Sequence, residues 1–334
     1  MNSRLFILLA FLLMPCSVQA QLLPNLGGDR AGTSGFQFLK IPIDARSAAM
    51  GETVVSNAFD ASALFWNPAL AAHLTNVNFG ISHVSYFVDV TLNYIGTTYH
   101  LDGPSLTIGL SLQTLSSGNM EVTTEFEPFG TGETFSLFDM AAGLTVAQNL
   151  TDLFSYGVTA KYIRESAAGI DQSTLAFDLG IYYRIGTTGA QMAVSLRNFG
   201  LDSFSNGNIS RGVIDDPSVV IEDDLESITL PTTFLLGLTY NVLRDDQTND
   251  FLVSAQLNNP NDNAENWNLG LEYIWQQLLA LRLGYRFGIE EYTIPSAGIG
   301  LNLPFLGPDI RFDYGFSQLE RLGTIHRISL ITAF

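Results

Sequence analysis

From Asn76 to the carboxy-terminus, apolar and polar positions alternate in stretches broken by turn residues at fairly regular intervals. Trp267, Leu269, Leu271, Tyr273 and Trp275 alternate with Asn268, Gly270, Glu272, Ile274 and Gln276. Leu279, Leu281, Leu283, Tyr285 and Phe287 do so with Ala280, Arg282, Gly284, Arg286 and Gly288, and Ile310, Phe312, Tyr314 and Phe316 with Arg311, Asp313, Gly315 and Ser317. The pattern predicts strands near 76–87, 90–101, 104–115, 134–148, 153–166, 173–185, 190–200, 230–242, 250–260, 266–276, 278–288, 294–303, 308–317 and 324–334. That is fourteen, an even number, as single-chain bacterial barrels have. One face suits lipid, with aromatics near strand ends; the other is polar and rich in glycine. A soluble sandwich also alternates, but its polar face would carry more Lys and Glu and far fewer Gly. The expectation is an all-β fold, a 14-stranded antiparallel transmembrane β-barrel.

Ala45–Asn76 is the part that reads as neither strand nor turn. Asp44 caps a predicted helix through Met50, with Gly51 as its left-handed stop. Asp60 caps a second turn over Ala61–Phe65. In Asn67-Pro68-Ala69 an Asn N-cap precedes Pro at the first helical position, which starts a third helix over Ala69–Leu74. All three are rich in small residues, Ala48 and Ala49 among them, and too short to be stable alone in water. They need a cavity to pack in. The barrel would supply it, so residues 21–75 are expected to form a leader and an N-terminal helical lumen plug, and 76–334 the barrel.

Met1–Ala20 carries Arg4, an apolar run Leu5–Met14 and Val18-Gln19-Ala20 as a small-x-small cleavage site. It reads as a secretory signal peptide, too short to span a bilayer. Pro15 fits poorly with lipidation of Cys16, and cleavage after Ala20 would leave no cysteine for disulfides or thiol chemistry. Gln21–Thr33 reads as a polar leader.

Charge sharpens the picture. Lys and Arg number 15 against 33 Asp and Glu, a net −18 that argues against nucleic acid. With 46% hydrophobic residues and 11% aromatic, the chain is not an acidic disordered protein. After the signal peptide no apolar run reaches about 18 residues, so crossing by helices is not expected.

The last strand places His326, Ile328, Leu330, Thr332 and the terminal Phe334 on one face. Such an aromatic end resembles the signal read by the outer-membrane barrel assembly machinery. Longer connections are expected at Ser116–Glu133, Leu201–Thr229, Arg244–Asn249, Asn259–Glu265 and Ile289–Thr293, facing outside if the amino-terminus is periplasmic. Leu201–Thr229 holds Asp202, Asp215, Asp216, Glu222, Asp223, Asp224 and Glu226. These could take calcium, but their spacing is unlike an EF-hand, and a solvated, partly disordered loop is the simpler reading.

Projected inward, the alternation places Lys161, Arg184, Arg197, Arg282, Arg286, Arg311 and Arg327 in the lumen, against Asp139, Asp178, Glu272 and Asp313. The bland reading is a buried network that braces the barrel and holds the plug through Asp44, Glu52 or Asp60. The functional alternative is an anion site, in which Arg grips a carboxylate with two hydrogen bonds.

Chemistry is hard to place elsewhere. Ser82 and Ser85 flank His83, but no Ser-His-acid set shares a lumen face, and His73, His83, His100 and His326 are scattered. No clustered His or Cys suggests a metal. Gly298-Ile299-Gly300 lies within a predicted strand and fails as a dinucleotide fingerprint. Neither enzymatic activity nor a cofactor is expected.

Three stretches carry a family resemblance: Phe38-Leu39-Lys40-Ile41-Pro42, Asp44-Ala45-Arg46-Ser47-Ala48-Ala49-Met50-Gly51, and Asp60-Ala61-Ser62-Ala63-Leu64-Phe65-Trp66-Asn67-Pro68-Ala69. Together they resemble the opening of the PorV/PorQ family of outer-membrane barrels. More distantly they resemble the plug of FadL-type long-chain fatty acid transporters. The resemblance spans roughly residues 36–100. It implies a Gram-negative-type outer membrane, membrane lipid and assembly machinery as partners, and a type IX translocon and its cargo as further ones. The function it implies is non-enzymatic: receiving exported proteins or helping to attach them at the surface. The alternative is a channel for fatty acids or other hydrophobic small molecules.

Overall fold

The computed structural model describes residues 31–334 apart from 76, 104, 207, 214–215, 225, 244–247 and 304–308, without side chains across 205–225. The expected signal peptide Met1–Ala20, Cys16 and the leader as far as residue 30 lie outside the described residues. No helix among those described is long and apolar enough to cross a membrane.

Fourteen long strands form the wall. They are β1 (Val77–Ser85), β2 (Thr91–Leu101), β3 (Leu106–Ser116), β4 (Leu137–Asn149), β5 (Phe154–Ala167), β6 (Ile170–Ile185) and β7 (Ala190–Gly200). The second half comprises β8 (Thr233–Asn241), β9 (Asp250–Pro260), β10 (Asn266–Trp275), β11 (Leu279–Phe287), β12 (Ser296–Asn302), β13 (Asp309–Leu319) and β14 (Gly323–Ala333). Each pairs antiparallel with its chain neighbour, and β1 with β14 closes the ring, Asn78 opposite Ala333. The backbone of Phe334 continues that ladder: its N–H donates to the Val77 carbonyl at 2.9 Å. Closure matters physically, because an open edge in hydrocarbon would leave backbone donors and acceptors unpaired.

Side chains alternate as a barrel wall requires. In β11 the odd positions Leu281, Leu283 and Phe287 are exposed, while Ala280, Arg282 and Arg286 are buried. Exposed aromatics gather at both ends of the wall: Tyr99, Tyr156, Tyr183, Tyr240 and Trp275 at the end where β1 begins and β14 finishes, and Phe138, Phe199, Phe234, Trp267 and Phe287 at the other. Two such girdles bounding an apolar band are what a bilayer with two interfaces selects. We call these the terminal and the distal end.

Two-residue connections fit the strand twist. Ala168 and Gly169 both have positive φ, 50° and 83°, the combination a tight hairpin needs. The connections that follow β3 and β7 lie at the distal end, but the one that follows β8, expected over Arg244–Asn249, leaves from the terminal end of that strand, contrary to the expectation for it. The acidic connection contains a β-hairpin, Asn208–Val213 paired with Asp216–Asp224, where a partly disordered loop was expected. Five of its seven acidic side chains, those from Asp215 to Asp224, lie outside the described residues, and with them most of the calcium reading.

Inside the ring sits the N-terminal segment: a 3-10 turn Gln37–Lys40, helices α1 (Ala45–Ala49) and α2 (Ala63–Trp66), and a second 3-10 turn Pro68–His73. Its residues dominate the buried core, with Ala48, Ala49, Met50, Val55, Ala58, Ala61 and Leu70 wholly inaccessible.

Candidate functional site

The interior is built from caps, glycine seats and ion pairs. Asp44 caps α1, its Oδ2 accepting from the Ser47 N–H at 2.8 Å, and its Oδ1 accepts from Ser47 Oγ and from Trp66 Nε1 at 3.0 Å. Gly51 terminates the element at φ +64°. Asp60 first makes a local turn, Oδ1 accepting from the Ser62 N–H at 2.8 Å, so α2 starts at Ala63 rather than at Ala61. Asn67 accepts from the Ala69 N–H at 3.1 Å and donates to the carbonyls of Val55 (2.9 Å) and Ile181 (3.2 Å). It thereby joins two parts of the segment to the wall.

The segment is seated on glycines paired across neighbouring strands. Gly80 faces Gly96, and the space a Cβ would fill is taken by Ala61. Gly157 faces Gly180, where Asn67, Pro68 and Ala69 enter. Gly270 faces Gly284 against Met50, Gly51 and Thr53; Gly298 faces Gly315 against Ala45 and Ala49. These pairs lie on β1–β2, β5–β6 and the contiguous run β10–β13, so the segment is held from more than one side of the ring. Inward glycines in register are the one sequence signal for such seats, visible only once strand pairing is fixed.

The charges form a chain that leaves the segment at Arg46 and returns to it at Asp60. Arg46 binds Glu272 with two hydrogen bonds (2.6 and 3.0 Å), and Glu272 also accepts from Arg282 at 2.6 Å. Arg282 reaches Asp313 at 2.6 Å, Asp313 accepts from Arg311 at 2.8 Å, and Arg311 pairs with Asp60. Glu272, Arg282, Asp313 and Arg311 belong to β10, β11 and β13; Arg46 and Asp60 belong to the segment. Further along, Arg286 pairs with Glu52 at 2.7 Å and lies over the Tyr292 ring. Arg327 donates to the Pro42 carbonyl at 3.4 Å and to Ser317. Arg197 stacks on Phe65 at 3.8 Å and donates to the Leu39 carbonyl; Lys161 pairs with Asp178 at 2.7 Å.

Three expectations change. Asp44 bonds Ser47 and Trp66 instead of a wall arginine. Arg184 lies exposed at the terminal rim, donating to the Asp152 carbonyl, outside the lumen cluster. Arg46 was not expected to take part, although it is the one Lys or Arg in Ala45–Asn76. With Asp44, Glu52 and Asp60 set against Arg46, and Arg184 removed, the positive excess expected of the lumen disappears. The arginines named here are engaged by carboxylates, carbonyls or rings, which leaves the anion-site reading little support.

The segment separates two cavities that share no lining residue. An open vestibule of about 990 Å³ at the distal end is floored by Phe36, Phe38, Glu52 and Trp66. A polar cavity of about 240 Å³ at the terminal end is lined by Arg46, Asp60, Glu272, Arg282 and Arg311. The histidines stay apart, His73 beside Ser155, His83 beside Asn93, His100 beside Thr107 and His326 beside Tyr314. Among the described residues no group of three or more His, Cys, Asp or Glu could hold a metal ion.

A closed wall with two aromatic girdles and a buried amino-terminal segment defines an outer-membrane-type barrel, and comparison with solved structures agrees. The Ralstonia pickettii toluene transporter TbuX aligns at TM-score 0.58 and 12% identity, over 87% of this chain and 97% of that one. The Pseudomonas putida toluene transporter TodX aligns at 0.56 and 15%, over 86% and 96%. At these identities the likeness establishes the fold. Residues 26–258 match the family described as type IX secretion system protein PorV, and the chain belongs to that family. No curated protein sequence matches it significantly.

Proposed function

We propose that the chain is an outer-membrane barrel, plugged by residues 36–74, that acts without catalysis as a component of type IX secretion, receiving or holding exported proteins at the distal, outward-facing end. The observation that carries this reading is membership of the PorV family over residues 26–258. Two features support it. The seats and ion pairs fill the ring between the two cavities, which suits a docking barrel better than a conduit. The distal connection after β3 also presents Phe126 and Phe129, 93% and 96% exposed, where an isolated chain gains nothing from them. Aromatics so displayed serve as anchors in protein interfaces. The second reading is a channel for hydrophobic small molecules, favoured by the transporter fold and the aromatic floor of the vestibule.

Cross-linking decides between them. A photoreactive side chain at Phe126 or Phe129 in living cells should trap a translocon subunit or an exported protein. Changing both to Ser should abolish co-purification while the barrel still inserts. Absence of any protein adduct, together with toluene uptake that depends on the barrel, would favour the channel.

A further inference from the structure

The vestibule lining includes two adjacent carboxylates that the ion-pair network does not use. Asp139 on β4 is 5% exposed, lines the vestibule, and its Oδ1 has no hydrogen-bond partner. Its cross-strand neighbour on β5 is Glu165, which also lines the vestibule. Directly opposed residues have Cβ atoms about 4.5–5.5 Å apart, so the two carboxyl groups stand side by side. Continuing the row across the wall gives Leu115 on one flank and Gln172 on the other, neither cationic. The backbone N–H of Phe36 is directed at Glu165, and no ion pair to either acid occurs among the described residues. Neighbouring carboxylates, one buried and one half-buried, repel one another, and the unpartnered buried oxygen of Asp139 is costly. Both residues line a space large enough for a ligand. Around it lie Phe36, Phe38, Leu115 and Leu137.

We propose that Asp139 and Glu165 form a binding site for an organic cation: an ammonium or guanidinium group carried on an apolar body, such as a Lys or Arg side chain of an arriving peptide. The two acids would accept its N–H groups, which replaces mutual repulsion by charge-assisted hydrogen bonds. The aromatic floor would take the attached apolar part, with ring faces favouring the positive end. This assignment stands on the pair's own geometry and holds for either functional reading.

The probe is 4-phenylbutylamine, with neutral 4-phenylbutanol of similar shape as its control, titrated calorimetrically into the full-length barrel in detergent. The amine should bind at least about tenfold tighter than the alcohol. Glu165→Gln and Asp139→Asn should each erase that preference, whereas Glu290→Gln at the vestibule rim should preserve it. Because Asp139→Asn removes an unpaired charge, it should also insert normally. Equal binding of amine and alcohol by the wild-type barrel would overturn the proposal without recourse to a variant. So would a preference that survives Glu165→Gln, or calcium binding at the pair with no preference for the amine.

Discussion

Replacing Gly284 by Ala adds one carbon to the wall at a point where the backbone of the amino-terminal segment lies against it. A Cβ there would overlap the Gly51 nitrogen and the Met50 carbonyl carbon, which are backbone atoms and cannot swing aside as a side-chain tip could. Space is also short from the segment's side, where a Cβ on Gly51 would meet the Tyr285 nitrogen at 2.9 Å and the Gly284 carbonyl carbon at 3.2 Å. Overpacking of this kind costs about 1–3 kcal/mol. The same substitution should favour the strand itself by about 0.5–1 kcal/mol, since Ala loses less conformational freedom than Gly. The two effects therefore have opposite signs on plug and wall. Displaced plug should become roughly 5- to 150-fold more populated, while the closed ladder keeps or gains stability. The assay is conductance across planar bilayers, read beside the temperature at which the barrel loses its heat-modifiable gel mobility. Gly284→Ala should raise leak with the mobility transition unchanged or higher. Deletion of Ala45–Leu74 should raise leak further, and Gly103→Ala, with nothing within 4 Å of its added carbon, should do neither. Unchanged leak in both Gly284→Ala and the inserted deletion would refute the view that this segment closes the lumen.

Glu272→Gln leaves Arg46 and Arg282 without their shared carboxylate, and breaking a buried pair costs about 3–5 kcal/mol; limited proteolysis should cut the plug faster. The double change Glu272→Leu with Arg46→Met should restore part of that loss, and equal sensitivity would show that the pair holds nothing. Deleting Phe334, or changing it to Asp, should lower the amount of inserted barrel while export continues, because its side chain ends the lipid-facing row of β14 and its backbone extends the closing ladder; a normal level of heat-modifiable barrel would count against this role. An epitope placed at Asn263, in the distal turn after β9, should be reached by antibody on intact cells and one at Thr248 should not, and the reverse pattern would invert the assigned orientation.

The wall was legible because an apolar exterior and packed polar groups inside impose a period of two on every strand. All fourteen strands lie where the alternation puts them, most bounds shifting by a few residues as turns such as Ala168-Gly169 take over. The helices were legible in part: Asp44 and Gly51 bound α1, whereas α2 starts at Ala63 and the Asn67-Pro68 step opens a 3-10 turn over Pro68–His73 in place of the expected helix over Ala69–Leu74. Contacts between the segment and the wall were not. Which arginine meets which acid depends on the strand register and on where the segment lies. Asp44 satisfies Ser47 and Trp66 instead of an arginine, and Arg46 spans to Glu272 across 226 positions of sequence. Arg184 has inward parity but stands at a strand end, where the lumen opens to water. The hairpin within the acidic connection was obscured by its charge, which normally marks solvated loops. The carboxylate pair of Asp139 and Glu165 needed the β4–β5 register before it could be seen as a pair.

The most direct measurement of the central claim follows exported proteins in cells from which this chain has been removed. Proteins carrying the type IX export signal should accumulate in the periplasm or fail to remain at the surface, and the wild-type chain should restore them. Unchanged export and attachment, with loss of uptake of a hydrophobic compound such as toluene, would contradict the account and identify the barrel as a transporter.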